Sequence, residues 1–159
     1  MAGRSARVII ASTRASAGVY QDRCGPIITE WLAQHGFSPA QLVLVGDGEP
    51  VGKSLRDAVT EGVDLVITSG GTGISPSDDT PAQTKAVLDY EIPGLADAIR
   101  RSGLPKVPTA VLSRGTCGVA GRTLVVNLPG SPKGALECLA AIMDLLPHAI
   151  AVLAGEQRH

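Results

Sequence analysis

The chain has 159 residues, 44% hydrophobic and 18% charged, which is enough apolar material for one sizeable core and too little charge for a disordered chain. Fourteen basic residues against fifteen acidic ones give a formal charge of −1, and only 3% of the chain is aromatic (Tyr20, Trp31, Phe37, Tyr90). Such a composition lacks the basic stripe and stacking rings of a general nucleic-acid binder and speaks against that class. No apolar run approaches the roughly 20 residues that span a bilayer. The run after Arg7 stops at Ser12-Thr13-Arg14, too short for a secretory leader, so a cytoplasmic protein without membrane contact is expected. Cys24, Cys117 and Cys138 have no C-x-x-C spacing, which suggests buried hydrophobes rather than a disulfide framework or a zinc site. His35, His148 and His159 are scattered, His35 in a Gln-His-Gly helix end, and none is given a catalytic role.

In chain order, Arg7–Ser12 reads as a buried strand, and Gly25–Gly36 as a helix with Ile27, Ile28, Trp31 and Leu32 at helical spacing. Gln41–Val45 is a second strand, followed by a helical stripe through Val51, Leu55, Ala58 and Val59 that ends at Gly62. Asp64–Ser69 is a third strand, and Thr80–Asp89 and Gly94–Ser102 read as helices broken at Pro93. Thr109–Ser113 and Thr123–Asn127 read as strands joined by a glycine-bearing link; a long helix over Pro132–Leu146 follows, and Pro147 starts a last helical segment to Ala154. Alternating helices with continuous Val/Ile/Leu strands predict one α/β domain over residues 1–159, three-layered, with a mainly parallel sheet covered by helices on both faces.

Ligands of such sheets sit outside the carboxyl ends of the strands, and the unusual composition gathers at those ends. Ser69-Gly70-Gly71-Thr72-Gly73 is the sharpest feature: closely spaced glycines suit a backbone cradle for an anion, although a tight strand-to-helix turn would use the same letters. Asp78-Asp79 follow within a few residues, and carboxylates beside a phosphate cradle call for an intervening cation, typically Mg²⁺. The same stretch reads as a helix start, with Thr80 or Asp79 capping and Asp78 left to face the ligand. Asp47 stands between Gly46 and Gly48 at another strand end, as an acid in a cleft or in an ordinary turn. Gly52-Lys53-Ser54 is not a P-loop, because the position that needs its first glycine is Asp47. Pro129-Gly130-Ser131-Pro132-Lys133 reads as a helix start capped by Ser131, with Lys133 adding charge, and Ser113-Arg114 ends the fourth expected strand near the same edge.

Gly18-Val19-Tyr20-Gln21-Asp22, the Ser69–Gly73 loop with Asp78-Asp79-Thr80-Pro81, Ile92-Pro93-Gly94, Leu112-Ser113-Arg114 and Asn127-Leu128-Pro129-Gly130-Ser131-Pro132-Lys133 occur in an order that covers almost the whole chain. Together they resemble the molybdenum-cofactor biosynthesis family, and within it the molybdopterin adenylyltransferases of the Mog/MoaB type. The resemblance implies transfer of AMP from ATP to molybdopterin with Mg²⁺, release of pyrophosphate, a homotrimer, and hand-over to a molybdenum insertase. It places the family's two important acids on Asp47 and Asp78, here taken as catalytic and metal-holding. Ser69, Gly70, Gly71, Thr72, Gly73, Ser113, Arg114, Pro129, Gly130, Ser131 and Lys133 are the expected ligand-binding residues. One departure is visible: the first loop reads Ser12-Thr13-Arg14 where the family commonly has Ser-Asp-Arg. The alternative reading is a non-catalytic molybdopterin carrier of the same fold; a general nucleotide-binding module is a third.

Overall fold

The structure, a computed structural model, describes residues 3–156; His159 lies outside them. In chain order its elements are β1 (Ala6–Ala11), α1 (Thr13–Ser16), α2 (Cys24–Gln34), β2 (Gln41–Val45), α3 (Glu49–Glu61), β3 (Leu65–Ser69), α4 (Thr80–Val87), β4 (Tyr90–Glu91), α5 (Pro93–Ser102), β5 (Cys117–Ala120), β6 (Thr123–Leu128), α6 (Pro132–Ile142) and α7 (Leu146–Leu153). Among the described residues the strands form one sheet in the order β2-β1-β3-β6-β5-β4. The first four run parallel, and β5 and β4 complete the sheet antiparallel.

Side-chain alternation divides the core into two layers. Val8, Ile10, Leu65, Ile67, Leu124, Val126 and Leu128 face the layer formed with Ile28 and Leu32 of α2, Leu95 and Ile99 of α5, and Leu139 and Ile142 of α6. Ile9, Ala11, Val66 and Val125 face Val51, Leu55 and Ala58 of α3. Helices on both faces explain why β1, β3 and β6 are buried along their whole length and read as unbroken apolar runs. The mainly parallel, doubly covered sheet is the expected architecture.

Four local expectations are corrected. Thr109–Ser113 is not a strand: Pro108–Leu112 is a 3₁₀ turn with no strand beside it, started by a proline that cannot donate to a ladder. The glycine-bearing link contains β5, which pairs with β6 as a hairpin, and β4 lies outside it. The backbone of Tyr90 approaches Gly118 so closely that any side chain there would collide with the Tyr90 carbonyl, which is why this strand carries a glycine. The long last helix ends early, at Ile142. Pro147 is tolerated only in a first turn, so α7 starts afresh at Leu146, bent by 69° from α6. Finally, Leu88 is extended and ends α4 at Val87, two residues short of Asp89. No single helix among the described residues is long and apolar enough to cross a membrane.

All three cysteines are buried and unpaired. Burial pushes each thiol up from its ordinary value, that of Cys117 to about 12. At pH 8 these groups stay protonated, and the thiolate is the nucleophile. The folded protein is therefore expected to react only slowly with a disulfide reagent such as dithionitrobenzoate. After denaturation it should release the full three equivalents; rapid release by the native protein would contradict this packing.

Candidate active site

The parallel register brings Ala11 opposite Val45, Ile10 opposite Ser69, and Ser69 opposite Leu128. Their outgoing loops therefore share one edge of the sheet. The chain leaves β1 towards β2 on one side and continues through β3 on the other, so the ligand crevice of this topology opens over β1 and β3. A cavity of about 750 Å³ lies there, with Ser12, Asp47, Ser69, Gly70, Gly71 and Asp78 in its wall.

The Gly70-Gly71 pair shapes the floor. Both have left-handed backbones, φ 98° and 68°, which side chains rarely adopt. A methyl on Gly70 would strike the carbonyl of Ala11, and one on Gly71 would strike Thr80 Oγ1 and come within 3.2 Å of Asp47 Oδ1. The Gly70 amide donates to Leu128 O at 3.1 Å. The amides of Gly71, Thr72 and Gly73 have no protein acceptor among the described residues, so these three can serve an anion.

Each acid has one anchored oxygen and one open oxygen. Asp47 Oδ2 accepts from the backbone N–H and the hydroxyl of Thr13 at 3.3 and 3.0 Å. Asp78 Oδ2 accepts from the Ser75 amide at 3.1 Å. Neither Oδ1 has a donor among the described residues, and both residues line the same cavity. No group of three or more His, Cys, Asp or Glu that could hold a metal occurs among the described residues. Two carboxylates completed by substrate oxygens is the donor set that suits Mg²⁺. Thr80 Oγ1, buried without a partner under Gly71, leaves a further oxygen unsatisfied beside this site.

The capping expectation is corrected in detail. Asp79 holds the N-cap position of α4, but its carboxylate accepts from Gln83 Nε2 at 2.8 Å and makes no cap bond. Ser131 does cap α6, accepting from the Gly134 amide at 3.1 Å. Ser69 is spent internally: its hydroxyl donates to Pro129 O at 2.8 Å and lies 3.1 Å from the protonated Cys24 thiol, whose pKa burial raises.

The residues expected to bind ligand do not share one chamber. Ser69, Gly70, Gly71 and Gly130 line the first cavity. Thr72, Gly73, Ser113, Pro129, Ser131 and Lys133 line a second, of about 530 Å³, to which the same two loops contribute. Arg114 lines neither: Nε donates to Gly73 O at 2.9 Å and Nη2 to Asp78 O at 2.6 Å, so its guanidinium braces the loop. Sequence reasoning named no candidate in the Ser12–Cys24 wall. Arg14 and Arg23 line the first cavity, and Tyr20 donates to or accepts from Ser12 Oγ at 2.7 Å with the Arg14 guanidinium 5.9 Å from its ring centre. The available signal was the position of this segment at the end of the first strand.

Residues 7–148 match the family described as "Probable molybdopterin binding domain". The chain belongs to that family. Among curated members of the molybdopterin-binding family, it is 38% identical to the molybdopterin adenylyltransferase of Helicobacter pylori J99 over 152 residues, covering 93% of this chain and 86% of that protein. It is 40% identical to the molybdopterin adenylyltransferase of Escherichia coli K12, covering 84% and 70%. Among solved structures, the molybdopterin biosynthesis Mog protein of Mycobacterium ulcerans superposes with a TM-score of 0.92 at 66% identity, over 95% of this chain and 99% of that one. The molybdopterin biosynthesis enzyme MoaB of Thermus thermophilus gives 0.89 at 47%, over 96% and 97%.

The glycine geometry makes a paired prediction. Gly70→Ala meets an immovable backbone carbonyl, whereas Gly71→Ala meets a side-chain hydroxyl that can turn away, at a left-handed position costing about 1–2 kcal/mol. Chemical denaturation should find Gly70→Ala the more destabilised variant. Gly71→Ala should stay folded but lose nucleotide affinity in calorimetry, and equal stability losses would contradict this account of the loop.

Proposed function

We propose that this chain transfers AMP from ATP to the terminal phosphate of molybdopterin, releasing pyrophosphate, as a step of molybdenum cofactor biosynthesis. The observation that carries the proposal is the pair Asp47 and Asp78, each with one carboxylate oxygen free of donors among the described residues, in the wall of a cavity that Gly71, with its acceptor-free amide, also lines. The names of its relatives, molybdopterin adenylyltransferases, support the same reaction.

In the reaction, an oxygen of the molybdopterin phosphate attacks the α-phosphorus of ATP, a new phosphoanhydride forms, and the bond between the α-phosphorus and its bridging oxygen breaks to free pyrophosphate. Phosphoryl transfer of this kind asks for positioning and charge neutralisation and needs no covalent nucleophile. When bound, Mg²⁺ held by Asp47 and Asp78 neutralises charge on the phosphate oxygens. The Gly71–Gly73 amides hold the phosphates in place, and Arg14 and Arg23 in the same wall supply cations for the departing pyrophosphate. ATP occupies the first cavity in this reading. The pterin takes the second, where Ile74, Ile99 and Val107 offer apolar surface and Lys106 and Lys133 supply charge. The loops holding Gly71-Thr72 and Pro129-Gly130-Ser131 line both chambers and bring the two phosphates together.

A carrier would have no use for two open carboxylates beside a phosphate cradle, which favours the enzyme over the non-catalytic alternative. Exposed Leu104 and Val111, near the 3₁₀ turn and outside the second cavity, supply apolar surface that a homotrimer would cover. Cytoplasmic location and hand-over to a molybdenum insertase complete the proposal.

Pyrophosphate release, dependent on both ATP and molybdopterin, tests the reaction. Asp78→Asn and Asp47→Asn should each cut turnover at least about 100-fold while molybdopterin affinity changes by no more than about threefold, because a metal-holding acid acts mainly in the transition state. Near-normal turnover in either variant removes that acid from the mechanism, and molybdopterin binding without any pyrophosphate release selects the carrier.

A further inference from the structure

We propose that Thr13 is a positioning residue for adenylyl transfer, selecting which oxygen of Asp47 faces the substrate. The inference rests on the reading of Asp47 as a metal-holding acid.

Asp47 stands between two glycines, at a place where neighbouring side chains give its carboxylate little restraint. The restraint comes from a residue 34 positions away. Thr13 Oγ1 donates to Asp47 Oδ2 at 3.0 Å, the Thr13 amide donates to the same oxygen at 3.3 Å, and the Asp47 amide donates back to Thr13 Oγ1 at 3.0 Å. The returning bond matters most. It occupies a lone pair of the hydroxyl, so the hydroxyl proton is directed to the carboxylate. The result is a closed exchange in which Oδ2 is held and Oδ1 is left without a donor beside Gly71, both residues lining the first cavity.

Thr13 is itself held. The Ser12 amide donates to Val45 O at 2.9 Å, tying the head of α1 to the end of β2, and Ser16 Oγ donates to Thr13 O at 3.0 Å. The space above Gly46 suits this arrangement, since a methyl there would already stand 3.7 Å from Thr13 Oγ1. Outer partners of this kind, which orient a ligating carboxylate, typically change metal affinity or activity by about 10–100-fold when removed.

The test uses the full chain with Mn²⁺ as the probe ion and α,β-methylene-ATP as the nucleotide. Mn²⁺ binding is read by electron paramagnetic resonance, and pyrophosphate release from ATP supplies kcat and KM. Thr13→Val keeps the shape and removes the hydroxyl; it should weaken Mn²⁺ binding and lower kcat by roughly 10–100-fold, with KM for ATP changed by no more than about threefold. Thr13→Ser should restore both to within about threefold of wild type, because it keeps the donor and acceptor. Thr13→Ala carries the same expectation as Thr13→Val should the valine variant fail to fold. If Asp47→Asn loses Mn²⁺ while Thr13→Val and Thr13→Ala bind it normally, the role of Thr13 is overturned and Asp47 keeps its own. If Thr13→Ser is as impaired as Thr13→Val, the hydroxyl is not what matters and the proposal also falls. If Asp47→Asn itself binds Mn²⁺ like wild type, the reading of Asp47 fails and the inference with it.

Discussion

The approach of Gly70 to the Ala11 carbonyl is the constraint on which the site depends. β1 and β3 are paired in register up to Ile10 and Ser69, so the chain leaving β3 must turn immediately above the end of β1. Only a residue without a side chain fits there, and only a left-handed backbone turns the chain in time. The Gly70 amide is fixed to Leu128 O and its Cα faces Gly130, so the loop after β3 is locked to the loop after β6. The rest of the loop inherits that position: Gly71 lies under Asp47, Thr72 O accepts from Arg114 N at 2.8 Å, and Arg114 in turn holds the carbonyls of Gly73 and Asp78.

Charge in this site is managed by restraint more than by numbers. The chain is close to neutral, and the acids that line the cavity are balanced by donors to one oxygen each. A carboxylate held at one oxygen presents the other with little conformational freedom left to lose, which is the form of preorganisation that phosphoryl transfer rewards. The cations divide the work. Arg114 braces the loop backbone, Arg100 donates to the carbonyl of Gly115 at 2.9 Å, and Arg14 and Arg23 remain on the cavity wall.

The architecture was legible because it is written in local patterns: apolar runs doubly buried, helices punctuated by proline, and polar residues gathered where strands end. The gathering of the candidate residues at the carboxyl edge followed from topology alone. What escaped was set by contacts between distant segments. Thr109–Ser113 has the aliphatic content of a strand but no partner ladder, whereas Cys117–Ala120 has small residues and becomes a strand because β6 and Tyr90-Glu91 lie on either side. Arg114 looked like a phosphate ligand by its letters, and only the fold shows the carbonyls that take its donors. Thr13 stood out only as a departure from the family's first loop, and its bond to an acid on the neighbouring strand end was visible only in the fold. The division of the expected ligand residues between two chambers was equally invisible, because Gly71 and Thr72 are adjacent in sequence and line different cavities.

The central claim is that Asp47 and Asp78 together hold one divalent cation against a nucleotide in the cavity above β1 and β3. A crystal structure of the wild-type chain with Mn²⁺ and α,β-methylene-ATP, with the metal located by its anomalous signal, tests it most directly. One manganese ion bound through Asp47 Oδ1 and Asp78 Oδ1 is expected, with the nucleotide phosphates against the Gly71 amide. Nucleotide in the second cavity, or manganese bound without either aspartate, would contradict that claim.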